Sequence, residues 1–388
     1  MRRRLSLIAS ATTIALATGG CEFDEHPVGT GRARPVVHAV LSTAPNVGQY
    51  VVLVERTLTG RIDTHAEVRD PADPITSGNG DAVSGAWVEI IRLDSASALT
   101  AVGIEDASVR TDQKGAGVYR FLNVDCGPTT CLPNAQPIAR GGRYRLRVTL
   151  PGSGDVVEGE TTVPASPQRI DSLGGTVFDR ERDTIRLSWP ATPGAHRYAL
   201  QVQTPYGPFQ IFSDTNAITL TGGLRNFLGD RIPLVFVPGF EQNVQIAAVD
   251  ANYYDYYRSG NDPFTGTGLL TGLRGGTGLF GSFAPIRRGR FEVVAPQDEP
   301  IEGTFETVGN QMVLYAVGDG YVSGRFDFSS GTRHGVLGTR TGNRMRLVVL
   351  QQAGVNDTLF TAEARVVADT LVVLADGASA SVRLLRVR

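Results

Sequence analysis

Period-two alternation constrains this chain more than any other feature. In Tyr144-Arg145-Leu146-Arg147-Val148 and in Ile185-Arg186-Leu187-Ser188-Trp189, one residue type alternates with another at every step. Successive side chains on a strand point to opposite faces, so such a run buries one face and wets the other; a helix would scatter the same residues around its circumference. The pattern returns at Val244-Gln245-Ile246, and the runs stay short because Gly 46 and Pro 21 punctuate the chain. Short alternating strands closed by turns build antiparallel sandwiches and barrels. The expected fold class is all-β: tandem antiparallel β-sandwiches with a small C-terminal antiparallel β-barrel or meander.

The 388 residues call for two or three domains, and a hydrophobic content of 41% is enough for packed cores. Net charge is −2, which argues against a nucleic-acid-binding protein, because such a protein needs a concentrated basic surface. Of 37 basic residues one, Lys114, is lysine. The arginine bias reads as coding bias of the host, with a functional use of planar guanidinium groups as the alternative.

The first residues give an address. Arg2, Arg3 and Arg4 form a positive start, residues 5–17 are apolar or small with interspersed Ser and Thr, and Gly19-Gly20-Cys21 follows. This is the layout of an export signal, too short to cross a bilayer as a helix. A small residue directly before Cys21 resembles a bacterial lipobox, in which the cysteine is lipidated and becomes the mature N-terminus. Thr18 stands where that pattern usually has Leu, and cleavage after Ala17 or Gly19 to a freely secreted chain is the alternative. With Cys21 as the lipidation site, Cys126 and Cys131 remain, flanking a Gly-Pro turn; in an oxidising compartment they are expected to form a local disulfide.

The organisation follows: signal peptide 1–20, flexible tether 21–34, N-terminal sandwich 35–166, a middle domain 167–294 with a Gly-rich extension, linker 295–300, and a C-terminal barrel or meander 301–388. In the extension, the stretch Gly275-Gly276-Thr277-Gly278 lacks the Gly-x-x-x-x-Gly-Lys-Ser/Thr pattern and is expected to be a strand-edge loop that packs Phe280 and Phe283 back on the sandwich. The barrel is expected to be filled by Leu and Val, though an interior that holds a small ligand stays open.

Candidate chemistry is sparse. His26, His38, His65, His196 and His334 lack metal-ligand spacing, and no Gly-x-Ser-x-Gly elbow occurs. Asp70, Asp73, Asn79 and Asp81 share an oxygen-rich loop without EF-hand spacing. The expectation is no catalytic residue, no metal and no cofactor. Tyr253, Tyr254, Tyr256 and Tyr257 form the best candidate binding patch, because tyrosine buries large area at low entropic cost and keeps a polar tip. Strand alternation would place Tyr254 and Tyr256 on one face and leave the others in the core.

Two resemblances add to this reading. Trp189, the Pro190-Ala191-Thr192-Pro193-Gly194-Ala195 turn and the strand ending Ala248-Val249-Asp250-Ala251 resemble a fibronectin type III domain. Together with the 36–53 opening, Val83-Ser84-Gly85-Ala86-Trp87-Val88 and Gly275-Gly276-Thr277-Gly278-Leu279-Phe280, they resemble, over about 36–291, the lipoproteins carrying the domain of unknown function DUF4249. That resemblance implies a cell-envelope lipoprotein, often encoded beside TonB-dependent outer-membrane transporters, and it supplies no catalytic residues. The expected function is a non-catalytic binding or accessory module at the envelope, anchored by lipid to a membrane, with an outer-membrane transporter or other envelope protein as partner. The alternatives are a small-ligand carrier using the C-terminal barrel, and an extracellular hydrolase whose carboxylates meet only in space.

Overall fold

The structure is a computed structural model that describes residues 33–43, 50–57, 80–95, 100–109, 116–121, 138–165, 171–204, 207–221, 236–259, 270–317, 320–350 and 358–387. Cys21, Cys126 and Cys131, and with them the lipidation and disulfide expectations, lie outside the described residues, as do the signal segment and most of the tether.

The organising element is a single strand. Residues Thr277–Val294 form β16, eighteen residues long, with Leu279 through Ile286 buried. A strand covered on both faces reads as a continuous apolar run, and Leu279-Phe280-Gly281-Ser282-Phe283-Ala284 fits that description. Gly275 and Gly276 form a bend at the strand edge as expected, whereas from Thr277 on the stretch is strand, with Gly278 and Gly281 admitting the backbone of Val37 and Tyr253. Three partners use its length. The first half pairs in parallel with β1 (Pro35–Ser42), from Val36 opposite Thr277 to Ser42 opposite Phe283. The second half pairs in parallel with β10 (Asp171–Asp179), and β15 (Glu241–Val249) runs antiparallel along the other edge.

Around this spine lies a ten-stranded sheet. β1 continues to β2 (Val51–Arg56), which takes β3 (Asp81–Ala82) on its margin; next come β7 (Val118–Arg120) and β6 (Ile104–Glu105). β15 continues to β12 (Arg197–Thr204) and β13 (Gly207–Ser213). A four-stranded sheet, β5 (Thr100–Val102), β4 (Trp87–Arg92), β8 (Arg143–Thr149) and β9 (Val156–Thr162), closes the N-terminal half. Between the two sheets lie Val37, Val52, Val54, Tyr119, Val88, Leu146, Val148 and Phe280. In β8 the alternation is realised as read: Tyr144, Leu146 and Val148 are buried, Arg143 and Arg147 exposed.

A second core collects under the other half of the sheet. Phe178, Trp189, Leu200, Val244, Ile246, Phe291 and Val293 pack with the strands β11 (Thr184–Ser188) and β14 (Ala217–Thr221). Because β1 and β15 both hydrogen-bond to β16, residues 35–166 and 167–294 share one sheet.

The C-terminal segment is a closed barrel of eight antiparallel strands: β17 (Gly303–Thr307), β18 (Asn310–Ala316), β19 (Tyr321–Asp327), β20 (Arg333–Thr341), β21 (Arg344–Leu350), β22 (Thr358–Val367), β23 (Thr370–Ala375) and β24 (Val382–Arg386). Closure removes the exposed edges that an open meander would carry. Its interior is a packed apolar core that includes Phe305, Met312, Leu314, Leu347 and Leu371. The barrel docks on the large sheet. The Ser323 hydroxyl donates to the Pro238 carbonyl at 2.9 Å, and Arg325 pairs with Glu292 at 2.7 Å. The all-β expectation, multiple sheets and a C-terminal barrel, is what the structure shows, with one α-helix added among the described residues.

Candidate functional site

That helix, α1 (Ala251–Ser259), carries the tyrosine patch. The expected strand alternation is corrected: tyrosines at 253, 254, 256 and 257 are spaced by three and four as well as one, and that spacing lays them along one side of a helix. The start signal is also present in the sequence. Asp250 precedes the first turn, and its Oδ1 accepts from the Tyr253 amide at 3.0 Å, an N-cap reaching the third helical residue. Gly or Pro does not interrupt the segment, so nothing opposes the turn.

The helix lies on the outer face of the large sheet. Tyr253 is fully buried among Ala199, Ala247, Val249, Leu279 and Phe283, and Tyr254, Tyr256 and Tyr257 are partly buried against the same group. The Tyr253 hydroxyl accepts from Gln201 Nε2 at 2.9 Å and donates to Gln210 Oε1 at 2.9 Å. Tyr256 meets His38 edge-on at 5.5 Å and Tyr257 at 5.2 Å. Tyr254 is the most elaborately framed: Phe212 stands perpendicular at 5.0 Å, His196 is 5.4 Å away, and the guanidinium carbons of Arg197 and Arg258 lie 5.3 and 5.5 Å from its ring centre. Two cations within about 6 Å of one ring centre make a cation–π cluster. The four tyrosines are therefore brought together on one element, with Tyr253 spent on the core and the other three nearer the surface.

At the N-terminal end of α1 opens a cleft of about 420 Å³, lined by Arg143, Glu160, Thr161, His196, Asp250 and Asn252. Its floor joins three elements that are remote in sequence. Asp250 Oδ1 also accepts from the Ser282 amide at 3.0 Å, and Oδ2 accepts from the Thr161 hydroxyl at 2.6 Å. Asn252 Nδ2 donates to the carbonyls of Glu160 and Phe280, at 2.6 and 2.9 Å. Burial holds the Asp250 carboxyl above the ordinary carboxylate range, against the pull of these donors. At the rim, hydrogen bonding from Arg145 holds the Glu160 carboxylate below its ordinary value, at 2.6 Å, and Arg143 lies 3.4 Å from the same residue.

Chemically, the two carboxylates differ in use. The acceptor sites of Asp250 are occupied by structural donors, which makes it a clamp between β9, α1 and β16. Glu160 is held in a pair with Arg145 that favours its ionised form. Among the described residues, no three His, Cys, Asp or Glu side chains converge as metal ligands. His334 Nδ1 is within 3.0 Å of the Leu350 carbonyl in the barrel, and Asp81 opens β3; Asp70, Asp73 and Asn79 lie outside the described residues. The sequence reading missed Asp250, Asn252, Thr161 and Ser282. Asp250 was findable as a cap before a helical tyrosine spacing; Thr161 and Ser282 carry no local signal.

Comparison with known proteins gives one family and little else. No curated protein matches the chain. Two solved adhesins align along most of their length: a 1.5-MDa bacterial ice-binding adhesin, at 8% identity over 90% of this chain and 94% of that one, with a TM-score of 0.15; and a Ca²⁺-stabilized adhesin of an Antarctic bacterium, at 10% identity over 91% and 90%, with a TM-score of 0.13. Scores this low mean the folds do not superimpose, and the likeness carries no argument. The model of one family, described as a domain of unknown function, matches residues 33–285, the stretch that contains most of the shared sheet, α1 and its cleft; this chain belongs to the DUF4249 family.

Proposed function

We propose that the protein is a non-catalytic, lipid-anchored cell-envelope module that binds a partner through the α1 face, with an outer-membrane TonB-dependent transporter as the partner class. The observation that carries the reading is the division of labour around α1. The buried carboxylate Asp250 is consumed in holding three elements together, whereas Tyr254, Arg197, Arg258, His196 and the Arg143–Glu160 pair stand at the surface. Aromatic and guanidinium groups of this kind are the usual anchors of protein interfaces. The leader ending in Cys21 supports the anchor, and the fibronectin-like features of the middle segment suit a presenting scaffold.

The test has two arms. The mature chain isolated from envelopes begins at Cys21 with a diacylglyceryl thioether on its Sγ, and Cys21→Ala moves the protein to the soluble fraction. A soluble wild-type chain with another N-terminus overturns the anchor. For the binding face, a photo-crosslinking residue replacing Tyr254 captures an integral outer-membrane protein in intact cells, and one replacing Val308 on the barrel does not. Capture at neither or equally at both overturns the assignment of the α1 face.

A further inference from the structure

The arginines of the barrel divide into two groups. Eight arginines lie in residues 301–387. Five have an acid partner: Arg325 and Arg333 share Asp327, Arg340 meets Glu299, Arg346 meets Asp376, and Arg386 meets Asp369. Arg344, Arg365 and Arg383 form no salt bridge or side-chain hydrogen bond among the described residues, and these three share one row of the outer wall. Register places Arg344 directly opposite Arg365, Arg365 opposite Val372, and Val372 opposite Arg383. All three arginines are exposed, because their neighbours Met345, Ala364 and Leu384 fill the barrel core.

Like charges directly across a sheet repel, and this pair has no acid between them to relieve it. Arg344, Arg365 and Val372 line a groove of about 690 Å³, which also takes in Thr339, Thr341, Arg346, Glu363, Leu374 and Ser381, while Arg383 stands opposite Val372, beyond that lining; that size is ordinary for a small-molecule site. Strand spacing of roughly 4.8 Å puts Arg344 and Arg365 together as one anion clamp and sets Arg383 about 10 Å further along. The apolar Val372 and, two residues along, Leu374 occupy the gap, whereas Thr339 and Thr341 line the groove on the other side of Arg344. Guanidinium groups bind phosphate oxygens in pairs of parallel hydrogen bonds, and apolar strips suit the C–H face of a sugar ring.

We propose that this groove, together with Arg383 on the strand next to Val372, binds a bisphosphorylated sugar, one phosphate held by Arg344 and Arg365 and the other by Arg383, with the ring over Val372 and Leu374. The neighbouring acids decide against a flat anionic membrane surface. Glu363 lies in the groove, Glu306 faces outward opposite Leu385, and Asp376 already neutralises Arg346. A compact ligand fits between these acids, whereas an extended anionic sheet would press against them. The site is separate from the α1 cleft and does not depend on the anchor or partner proposed above.

Calorimetric titration of the full chain held in phosphatidylcholine nanodiscs, free of detergent, tests it with four probes: inorganic phosphate, a hexose monophosphate, a hexose 1,6-bisphosphate and phosphatidylglycerol vesicles. The bisphosphate binds about tenfold or more tighter than the monophosphate, and its affinity falls with added salt. The combined variant Arg344→Gln, Arg365→Gln, Arg383→Gln loses about tenfold or more of that affinity, whereas Arg333→Gln keeps it. The thermal midpoint of the combined variant without ligand reports on folding, and should it fall, the single Arg383→Gln carries the same comparison. Equal affinity for mono- and bisphosphate, undiminished binding by the variants, or binding to vesicles alone each overturns the proposal.

Discussion

Asp250 shows how one side chain ties the chain's remote segments. Its carboxylate accepts from the Tyr253 and Ser282 amides and from the Thr161 hydroxyl, so it caps α1 and joins β9 to β16 in one stroke. Removing it leaves buried donors unpaired, and each such group costs about 1–3 kcal/mol. Asp250→Ala should lower unfolding stability by about 2–4 kcal/mol in urea titrations, whereas Asp250→Asn, which still caps and removes the buried charge, should stay within about 1 kcal/mol of wild type. The pH dependence has a definite sign. Because burial raises this carboxyl in the folded state, the folded protein keeps the proton that the unfolded chain has already released. Its contribution therefore falls as pH climbs from the ordinary carboxylate range to the raised value. Asp250→Asn should flatten that segment of the stability–pH curve, and an unchanged slope would show that burial does not control the group.

At the scale of elements, β16 dictates what its neighbours tolerate. Gly278 adopts φ +115° and faces β1 so closely that a β-carbon there would overlap the Val37 carbonyl oxygen. Two effects add in Gly278→Ala: a backbone conformation that L side chains avoid, about 1–3 kcal/mol, and disruption of the parallel pairing with β1. We expect a loss of about 3 kcal/mol or more in urea unfolding. Gly175 in β10, paired with the other half of the same strand, has open space where a β-carbon would stand. Gly175→Ala should change stability by no more than about 0.5 kcal/mol. Equal effects at the two sites would refute the claim that the β1 contact is the crowded one.

For the whole molecule, the question is how the barrel is fastened to the shared sheet. The contact uses backbone proximity and few side chains: Ser323 to Pro238, Arg325 to Glu292, and Phe240 lying over Gly335. A β-carbon on Gly335 would collide with the Phe240 ring. Gly335→Ala should therefore cost about 1–3 kcal/mol, as overpacking does, and should act on the interface and not on either core. The expected signature is faster protease cleavage within 295–300 and a thermal transition that separates into two. Phe240→Leu in the same chain should restore much of the protection. Undiminished protease resistance in Gly335→Ala would show that the barrel is held by something other than this contact.

Much of this architecture is legible in the sequence. Alternation in Tyr144–Val148 named a half-buried strand, since period two has one structural meaning; the same logic, with closely spaced turns, gave the all-β class and the C-terminal barrel. Local signals also included the cap and spacing of α1, although five residues rich in tyrosine fit a strand equally well unless Asp250 is weighed. Long-range pairing was not legible. Nothing local in Pro35–Ser42 says that it lies parallel to Thr277–Val294, because parallel register is fixed by which apolar faces meet in space. Thr161 and Ser282 find Asp250 only through that pairing, and Arg344, Arg365 and Arg383 become one row only when the barrel closes and sets their strands side by side. Local pattern decided the alternating strands and which faces they bury, since those depend on neighbours along the chain, but it did not decide the helix α1 or the long strand β16. Tertiary structure alone decided which remote side chains share a site, since that depends on contacts whose energy is realised only after the chain has folded back on itself.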